Sequence, residues 1–288
     1  MGMLSSVGVV LHPSRAPQRA ITTLMDWASG KRLPVYGLEQ EVGRLDCAAV
    51  PVRDHELAVK SSLLVSLGGD GTMLRTLRLA HAAGTPVLGV NNGRLGFLAE
   101  VDLDDLPGAL SDIDAHAFTL EPRSSVTCDR LGSSAVAYND IALVRVPGDG
   151  VAAVEVVVDG EPFVRYSADA VVVATATGST AYAYSAGGPI VSPIVQGLLV
   201  VPAAPHSTFN RALMLHEDEQ LRLRVLEHSG TLAVEVDGNV VARVRAGDEL
   251  TFRVHPTSGR VVRLGRTTFY QRARRKLRLT DSAEIPAL

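Results

Sequence analysis

The chain has 288 residues, of which 46% are hydrophobic, 20% charged and 5% aromatic, and it carries a net charge of −3. This length suffices for one large or two modest domains, and the near-neutral charge excludes the basic footprint of a nucleic-acid-binding protein. No apolar run reaches the ~18 residues of a membrane span, and the segment "MGMLSSVGVVLHPSR" lacks the basic start of a signal peptide, so we expect a cytoplasmic protein without membrane partners.

Residues 6–118 alternate short β-rich runs with helical segments. In chain order the pattern is strand "SVGVVLHP", helix 15–31, strand "LPVYGL", strand "SLLVSL", helix 71–83 and strand "TPVLGV". Strands that alternate with helices form a parallel sheet covered by helices. The sequence therefore predicts an α/β domain with a Rossmann-like parallel sheet over residues 1–118.

From residue 119 to residue 264 the pattern changes to many short apolar runs separated by turn signals. The segments "AVEVVVDGEPFVRYS" and "LAVEVDGNVVARV" place Asp-Gly between alternating apolar residues, which is typical of a β-hairpin. We therefore predict a second domain that is β-rich and mostly antiparallel.

The segment "TTFYQRARRKLRLT" predicts a helix that packs back on the first domain, because Phe269, Ala273 and Leu277 are spaced four apart. Its basic residues are interpreted as a solvated face of that helix. They are Arg272, Arg274, Arg275, Lys276 and Arg278.

The motif "GGDGT" at residues 68–72 places the carboxylate of Asp70 among three glycines, directly after a buried strand. Glycines allow close approach to a ligand, and the free N–H groups of a helix that begins near Thr72 suit a phosphate. Asp70 would repel that phosphate unless a cation lies between them or the carboxylate takes a proton from an attacking hydroxyl. Both readings indicate phosphoryl transfer, and the alternative is that Asp70 caps the helix.

Two other nucleotide-binding motifs are absent from the sequence. The P-loop pattern G-x-x-x-x-G-K-[ST] fails because "GK" occurs only at Gly30 and Lys31, with Arg32 after it and Met25 in place of the first glycine. The fingerprint G-x-G-x-x-G does not follow the first strand. The sequence thus excludes a P-loop kinase and removes the main support for hydride transfer.

A second glycine-rich segment, "YSADAVVVATATGSTAYAYSAGGPIVSP" at residues 166–193, follows an apolar strand with small hydroxyl residues and a predicted helix. The small residues are Thr175, Thr177, Gly178, Ser179 and Thr180. Hydroxyl and N–H groups bind sugar and phosphate oxygens, and Tyr182 offers a flat face and a hydroxyl to a base or ribose. The alternative is a Thr-capped helix with Tyr182 and Tyr184 in the core.

These motifs, in this order, resemble those of the NAD kinases. The matching segments are "GGDGT" (68–72), "NNGRLGFL" (91–98), "YNDIALVR" (138–145), "TATGSTAYAYSAGGPIV" (175–191) and "VDGN" (236–239). "GGDGT" also resembles diacylglycerol kinases, sphingosine kinases and 6-phosphofructokinases, whereas "TGSTAY" with "SAGGP" is strongly specific. The resemblance implies a kinase that converts NAD to NADP with ATP and Mg²⁺ or another divalent cation.

The resemblance also implies the domain roles. Residues 1–118, joined by 265–288, would form the α/β nucleotide-binding domain with the catalytic "GGDGT" loop. Residues 119–264 would form the β-rich NAD-binding and oligomerisation domain.

Site roles follow from the resemblance position by position. Asp70 is implied as the base toward the 2′-hydroxyl of the adenosine ribose, which attacks the γ-phosphate of ATP. Gly68, Gly69 and Thr72 form the phosphate loop, and no residue is assigned to a metal. Phe97 matches an aromatic wall near the adenine.

The other implied positions bind the nucleotide. Asn139 and Asp140 match an Asn-Glu pair that holds ribose hydroxyls and the base, and Asp169 matches an aspartate near the nicotinamide end. The remaining positions are Gly71, Arg75, Thr180, Ala181, Tyr182, Ser185, Ala204 and Asn239.

The chain departs from the family pattern at four positions, with "ND" for "NE", "TAT" for "TPT", "DA" for "DG", and Asn239 for glutamine. Three of these border the acceptor, so a related kinase of another adenine nucleoside or nucleotide remains an alternative. A non-catalytic dinucleotide sensor is a further alternative, against which the intact Asp70 argues.

NAD kinases assemble as dimers and tetramers, so the resemblance implies a homodimer or homotetramer with site residues shared between subunits. Asp169 would then come from a neighbouring subunit. Chain length argues in the same direction, because the seven residues of "AVVVATA" at roughly 3.3 Å each separate the ends of that run by about 23 Å. One chain would have difficulty bringing Asp169 and Tyr182 to one ligand.

Overall fold

The structure is a computed structural model that describes residues 4–14, 18–44, 48–91, 96–132, 135–206 and 208–279. The chain forms two units, of which unit 1 comprises residues 1–121 and 259–288 and unit 2 comprises residues 122–258. The sequence places the corresponding boundaries after residues 118 and 264. Both structural boundaries fall inside strands.

Unit 1 begins with alternating strands and helices. They are β1 (Val7–Leu11), α1 (Gln18–Gly30), β2 (Val35–Leu38), α2 (Glu39–Val42), β3 (Val50–Val52), α3 (Asp54–Lys60), β4 (Leu63–Leu67), α4 (Asp70–Ala80), β5 (Val87–Asn91), β6 (Val101–Asp102), a 3₁₀ turn (Leu103–Asp105) and α5 (Leu106–Asp114). The α/β alternation predicted from the sequence is confirmed, with α2, β3, α3, β6, the 3₁₀ turn and α5 as additions.

The sheet of unit 1 is parallel, with strand order β3-β2-β1-β4-β5. Strands β1, β4 and β5 are buried along their whole length, because helices cover a parallel sheet on its faces. Apolar residues of α1 and α5 share a core cluster with these three strands. The carboxyl end of β4 leads directly into α4, where the "GGDGT" motif lies.

The chain continues through unit 2 and returns to unit 1. The elements are β7 (Thr119–Cys128), a 3₁₀ turn (Asp129–Leu131), β8 (Val136–Ala137), β9 (Asp140–Arg145), β10 (Ala152–Val158), β11 (Glu161–Ala168), β12 (Ala170–Ala174), a 3₁₀ turn (Thr177–Thr180), α6 (Tyr182–Ser185), β13 (Gly197–Ala203), β14 (Leu213–His216), β15 (Leu221–Val225), β16 (Leu232–Val236), β17 (Asn239–Val244), β18 (Glu249–Arg263) and α7 (Phe269–Leu277).

Unit 2 contains two antiparallel arrays, β14-β13-β12-β9-β16-β17 and β11-β10-β15-β18. Apolar side chains from both arrays share one core cluster. The two predicted hairpins are confirmed as β10–β11 and β16–β17. Asp159 and Gly160 in the first turn, and Asp237 and Gly238 in the second, have positive φ angles, as the favoured two-residue hairpin turns require.

None of the helices in the described ranges is long and apolar enough to cross a membrane.

Candidate active site

Asp70 is the first residue of α4, two residues before the predicted helix start, and the extended Gly69 occupies the N-cap position. The alternative in which Asp70 caps the helix is therefore wrong. None of Gly68, Gly69 and Gly71 has a positive φ. A Cβ atom on Gly69 or Gly71 would meet no heavy atom within 4 Å, so these two glycines leave open space at the helix start.

The carboxylate of Asp70 accepts hydrogen bonds from groups distant in sequence. Oδ2 accepts from the backbone N–H of Phe97 at 3.0 Å, and Oδ1 accepts from the N–H of Leu98 at 3.1 Å. The ammonium of Lys276 donates to Oδ2 at 2.7 Å. Since an ionised carboxylate has about four acceptor positions, these three donors fix its orientation and leave one position for a further proton donor.

Gly96 is essential to this arrangement because a Cβ atom there would overlap the Asp70 carboxylate. Gly96 belongs to the segment "NNGRLGFL", in which the sequence predicts a role only for Phe97. Residues 92–95 of that motif lie outside the described residues.

A cavity of about 340 Å³ opens at the start of α4. It is lined by His12, Pro13, Gly69, Gly71, Thr72 and Arg75. Helix N-termini bind anions through free N–H groups, so the cavity suits a phosphate. Three residues of the predicted phosphate site, Gly69, Gly71 and Thr72, line this cavity, whereas Gly68 does not.

Arg75 is half-buried and not a free surface arginine. Its Nη1 contacts Oε1 of Glu41 at 2.5 Å, and Glu41 is buried and accepts from the N–H of Leu11 at 2.8 Å. This ion pair places a guanidinium at the cavity wall. Glu41 carried no signal in the sequence.

The interpretation of the α7 basic residues as a solvated face is wrong for Arg272, whereas Lys276 is exposed and also contacts an acidic side chain. Arg272 is 1% exposed and donates to the carbonyl oxygen of Phe97. Lys276 contacts Asp70 and lies 4.5 Å from the centroid of the Phe97 ring. Phe97 itself is buried, so the ammonium of Lys276 covers part of the ring that was predicted to face the adenine.

In unit 2, Asp237 holds the segment that carries Asn139 and Asp140. Its Oδ1 accepts from the N–H groups of Asn139 and Asp140 at 2.8 and 3.2 Å, and its Oδ2 accepts from the N–H of Tyr138 at 3.2 Å. Asp237 belongs to the "VDGN" motif, in which the sequence predicts a role only for Asn239. The hairpin turn β16–β17 therefore positions the start of β9.

The small hydroxyl residues after β12 stabilise the backbone more than they face a ligand. Thr175 donates to the carbonyl of Tyr138 at 2.6 Å, and Ser179 donates to the carbonyl of Ala176 at 2.7 Å. Both are fully buried, whereas Thr180 is half-exposed. The expectation that the whole cluster binds sugar and phosphate oxygens is thus wrong for Thr175 and Ser179.

Asp140 is 4% exposed and lies beside other acidic groups. Burial raises the pKa of its carboxyl to about 7, and the charges of Asp237 and Glu235 contribute in the same direction. Around neutral pH this carboxyl can therefore accept a hydrogen bond from a ribose hydroxyl or donate one.

This raised pKa predicts a pH-dependent stability. The folded state keeps the Asp140 proton to higher pH than the unfolded chain, so its contribution falls as pH rises from about 4 to about 7. We expect Asp140→Asn to raise the free energy of unfolding at pH 8 by up to about 4 kcal/mol, and so to raise Tm there, with a much smaller effect at pH 4. Thermal unfolding at both pH values tests this, and equal shifts at both would contradict it.

Tyr182 lies over the sheet and close to acidic residues. It packs on a cluster that includes Val172 and Ala174 of β12, because the chain turns back after that strand. Burial is the largest cause of the raised pKa of the Tyr182 hydroxyl. The charges of Glu235, Asp140 and Asp169 raise it further.

The position of Tyr182 corrects the argument from chain length. The estimate of about 23 Å is the length of the segment "AVVVATA" along an extended chain. It does not give the distance between the side chains of Asp169 and Tyr182, because the chain turns back after β12. The Asp169 charge acts on Tyr182 within one chain. Asp169 is half-exposed and accepts from Nε of Arg145 at 2.5 Å.

The other predicted nucleotide-binding residues of unit 2 lie at turns and element ends. Ala181 precedes α6 and Ser185 ends it, with Ser185 exposed. Asn239 begins β17 and is exposed. Ala204 follows β13 with a φ of 47°, an unusual conformation for alanine.

The described residues contain no group of three or more His, Cys, Asp or Glu side chains that could hold a metal ion. In unit 1 the predicted residues Asp70, Gly71, Arg75 and Phe97 gather around the start of α4. In unit 2, Asp140, Asp169 and Tyr182 interact electrostatically.

Comparison with known proteins gives matches in both halves of the chain. The family model described as ATP-NAD kinase N-terminal domain matches residues 20–118, and that described as ATP-NAD kinase C-terminal domain matches residues 138–264. The NAD kinase of Heliobacterium modesticaldum is 37% identical over 280 residues, which cover 95% of this chain and 99% of that protein. NAD kinase 1 of Streptomyces avermitilis is 34% identical over 318 residues, which cover 97% and 88%.

Solved structures are also similar. Yeast NADH kinase in complex with NADH superposes with a TM-score of 0.84 at 25% identity, covering 99% of this chain and 90% of that one. An NAD kinase from Archaeoglobus fulgidus in complex with ATP gives a TM-score of 0.76 at 23% identity, covering 95% and 98%, and supports the fold.

Proposed function

The chain belongs to the ATP-NAD kinase family, and from this premise we propose that it transfers the γ-phosphate of ATP to the 2′-hydroxyl of the adenosine ribose of NAD, giving NADP. It is then a phosphotransferase with an alcohol group as acceptor. The observation that carries the proposal is the match of both halves of the chain to the two domains of that family. The relatives that cover nearly the whole chain carry the same name.

Asp70 acts in this proposal as the general base. Two backbone N–H groups and one ammonium hold its carboxylate, and the remaining acceptor position receives the proton of the 2′-hydroxyl. The ribose oxygen bonds to the γ-phosphorus while the bond from that phosphorus to its bridging oxygen breaks. ADP leaves with that electron pair.

The helix start and the cavity beside it bind phosphate in this proposal. Gly69, Gly71 and Thr72 present backbone to the cavity, and Arg75 brings a guanidinium to its wall. Gly68 turns the chain into this loop. The open space at Gly69 and Gly71 lets phosphate oxygens approach the backbone N–H groups.

The residues of unit 2 bind NAD in this proposal. Asn139 and Asp140 hold ribose hydroxyls and the base, and Tyr182 supplies a flat face. Asp169 binds near the nicotinamide end, and Phe97 in unit 1 lies near the adenine. The remaining contacts come from Thr180, Ala181, Ser185, Ala204 and Asn239.

Mg²⁺ belongs to the substrate in this proposal. The described residues hold no acidic cluster for a metal, and the Asp70 carboxylate already accepts from three donors. Mg²⁺ in proteins often keeps its waters and binds through substrate phosphates. MgATP is therefore the phosphoryl donor in this proposal.

We propose further that the protein is a homodimer or homotetramer with shared sites, as in its family. Complementation tests this, and partial activity is expected when inactive Asp70→Asn and Asp169→Ala proteins exchange subunits. Mixed oligomers would then contain some sites with both residues intact. No recovery after confirmed exchange would place Asp169 in its own subunit's site or outside the site.

The experiment that tests the function is incubation of the protein with ATP, Mg²⁺ and NAD, followed by detection of NADP. NAD that lacks the 2′-hydroxyl on its adenosine ribose should inhibit and never become phosphorylated. Phosphate on another hydroxyl, or on another adenine nucleotide alone, would favour the related kinase. Binding of NAD without any phosphate transfer would identify a sensor.

A further inference from the structure

Asp70 brings a negative charge to the helix start at which a triphosphate is proposed to bind. Two anions in one site repel unless a cation lies close to both. Lys276 supplies such a cation, since its Nζ lies 2.7 Å from Oδ2 of Asp70. The two residues are 206 positions apart in the chain.

Helix α7 holds Lys276 in place from within unit 1. The Thr268 hydroxyl caps the helix by accepting from the N–H of Gln271, and Oε1 of Gln271 accepts from the N–H of Thr268. Arg272 and Ala273 are buried at 1% and 3% exposure. Lys276 follows Arg272 by four residues, so both side chains lie on the same face of α7.

Phe97 connects α7 to Asp70 through three contacts. Its N–H donates to Asp70, its carbonyl accepts from Nε of Arg272 at 3.2 Å, and its ring lies beneath the Lys276 ammonium. The next residue, Leu98, is held in a similar way. Its N–H donates to Asp70, and its carbonyl accepts from Arg263 at 2.8 Å. Arg272 thereby strengthens the Leu98 donor to Asp70, because the Phe97 carbonyl and the Leu98 N–H belong to one peptide group.

The exposure of the ion pair argues for a role beyond stability. The side chains of Lys276 and Asp70 are 35% and 26% exposed, and such solvent-accessible pairs contribute little to folding. Asp70 lies between Gly69 and Gly71, which line the cavity at the start of α4 and leave open space there.

The residue type supports this role. Of the 28 Lys and Arg residues in the chain, only three are lysine. The guanidinium of an arginine tends to bind both oxygens of a carboxylate. At Asp70 it would occupy the acceptor position that the carboxylate needs in order to take a proton. The ammonium of Lys276 contacts Oδ2 alone and leaves that position free.

We propose that Lys276 is a positioning residue for Asp70, whose ammonium offsets the charge of the carboxylate so that the triphosphate of ATP can bind beside it. This inference rests on the proposed function, because it takes ATP as the ligand of the α4 helix start. It adds a residue of α7 to a site otherwise built from the "GGDGT" loop and residues 96–98.

The test is a double-mutant cycle on ATP affinity, measured by calorimetry on the full chain without NAD. Lys276→Met should weaken ATP binding about tenfold, because the carboxylate then faces the triphosphate without its counter-charge. Asp70→Asn with Lys276→Met should restore affinity to within about threefold of the unmodified chain, since the repelling charge is gone as well. Lys276→Arg should retain most of the affinity.

Arg275→Met is the matched control, because it removes the same charge from an exposed position of the same helix. It should change ATP affinity less than twofold, and thermal unfolding should show that all variants fold. A Lys276→Met affinity equal to that of Arg275→Met, or a double variant that binds as weakly as the single one, would overturn the proposal. Because binding needs no turnover, failure of the cycle and failure to form NADP are separate results.

Discussion

Replacing Asp70 by asparagine should lower kcat for NADP formation by ~10²-fold or more while ATP and NAD still bind. The amide keeps the size of the carboxylate and cannot take the proton of the 2′-hydroxyl. Its NH₂ group also opposes one of the donors now satisfied by the carboxylate, the N–H of Leu98 or that of Phe97. We therefore expect a loss of stability of about 1–3 kcal/mol beside the loss of turnover.

Steady-state kinetics and calorimetry of the Asp70→Asn protein measure both effects. Asp102→Asn is the matched control, because the same change falls on an exposed residue at the end of β6. That variant should retain activity. Near-normal kcat in the Asp70→Asn protein would remove the proposed role of Asp70 as base.

Replacing Gly178 by alanine should impair both folding and nucleotide binding. A Cβ atom at this position would overlap the carbonyl group of Asn139, and backbone atoms cannot rotate away as a flexible side chain can. We expect a destabilisation of about 1–3 kcal/mol from the forced shift of the two segments. The same shift displaces Asn139 and Asp140, so NAD affinity should fall by about tenfold or more.

Denaturant unfolding and NAD titration measure the two effects of Gly178→Ala. Gly43→Ala provides the control, because a Cβ atom there meets nothing within 4 Å and the residue has a φ of −63°. It should be neutral or stabilise by about 0.4–1 kcal/mol. If Gly178→Ala matched this control, the tight contact between residues 178 and 139 would not hold the site.

Local patterns were sufficient to predict much of the fold. The turns at Asp159–Gly160 and Asp237–Gly238 follow from two residues each, and the alternation around β1, β4 and β5 follows from short apolar runs. The predicted start of α4, near Thr72, lies two residues after the observed start at Asp70. The difference arises because an extended Gly69 serves as the N-cap without a side chain.

The site was harder to predict where it depends on contacts between distant residues. Arg272 and Lys276 belong to a basic run that the sequence presents as exposed. The burial of Arg272 and the ion pair of Lys276 with Asp70 both depend on the packing of α7 beside Phe97. The inward direction of the Thr175 and Ser179 hydroxyls arises from a 3₁₀ turn that breaks the strand alternation. Asp237 lies in a motif visible in the sequence. Its hydrogen bond with the N–H of Asn139 could not be predicted, because it depends on the pairing of β16 with β9.

The order in which the two units occur along the chain has a consequence for synthesis. Unit 2 is continuous from residue 122 to residue 258, whereas unit 1 also needs residues that follow it. A nascent chain therefore holds every segment of unit 2 while the last strand residues of unit 1 and α7 are still untranslated. Lys276 can reach Asp70 only after all of unit 2 has been synthesised, so the surroundings of the Asp70 carboxylate are completed later in synthesis than unit 2.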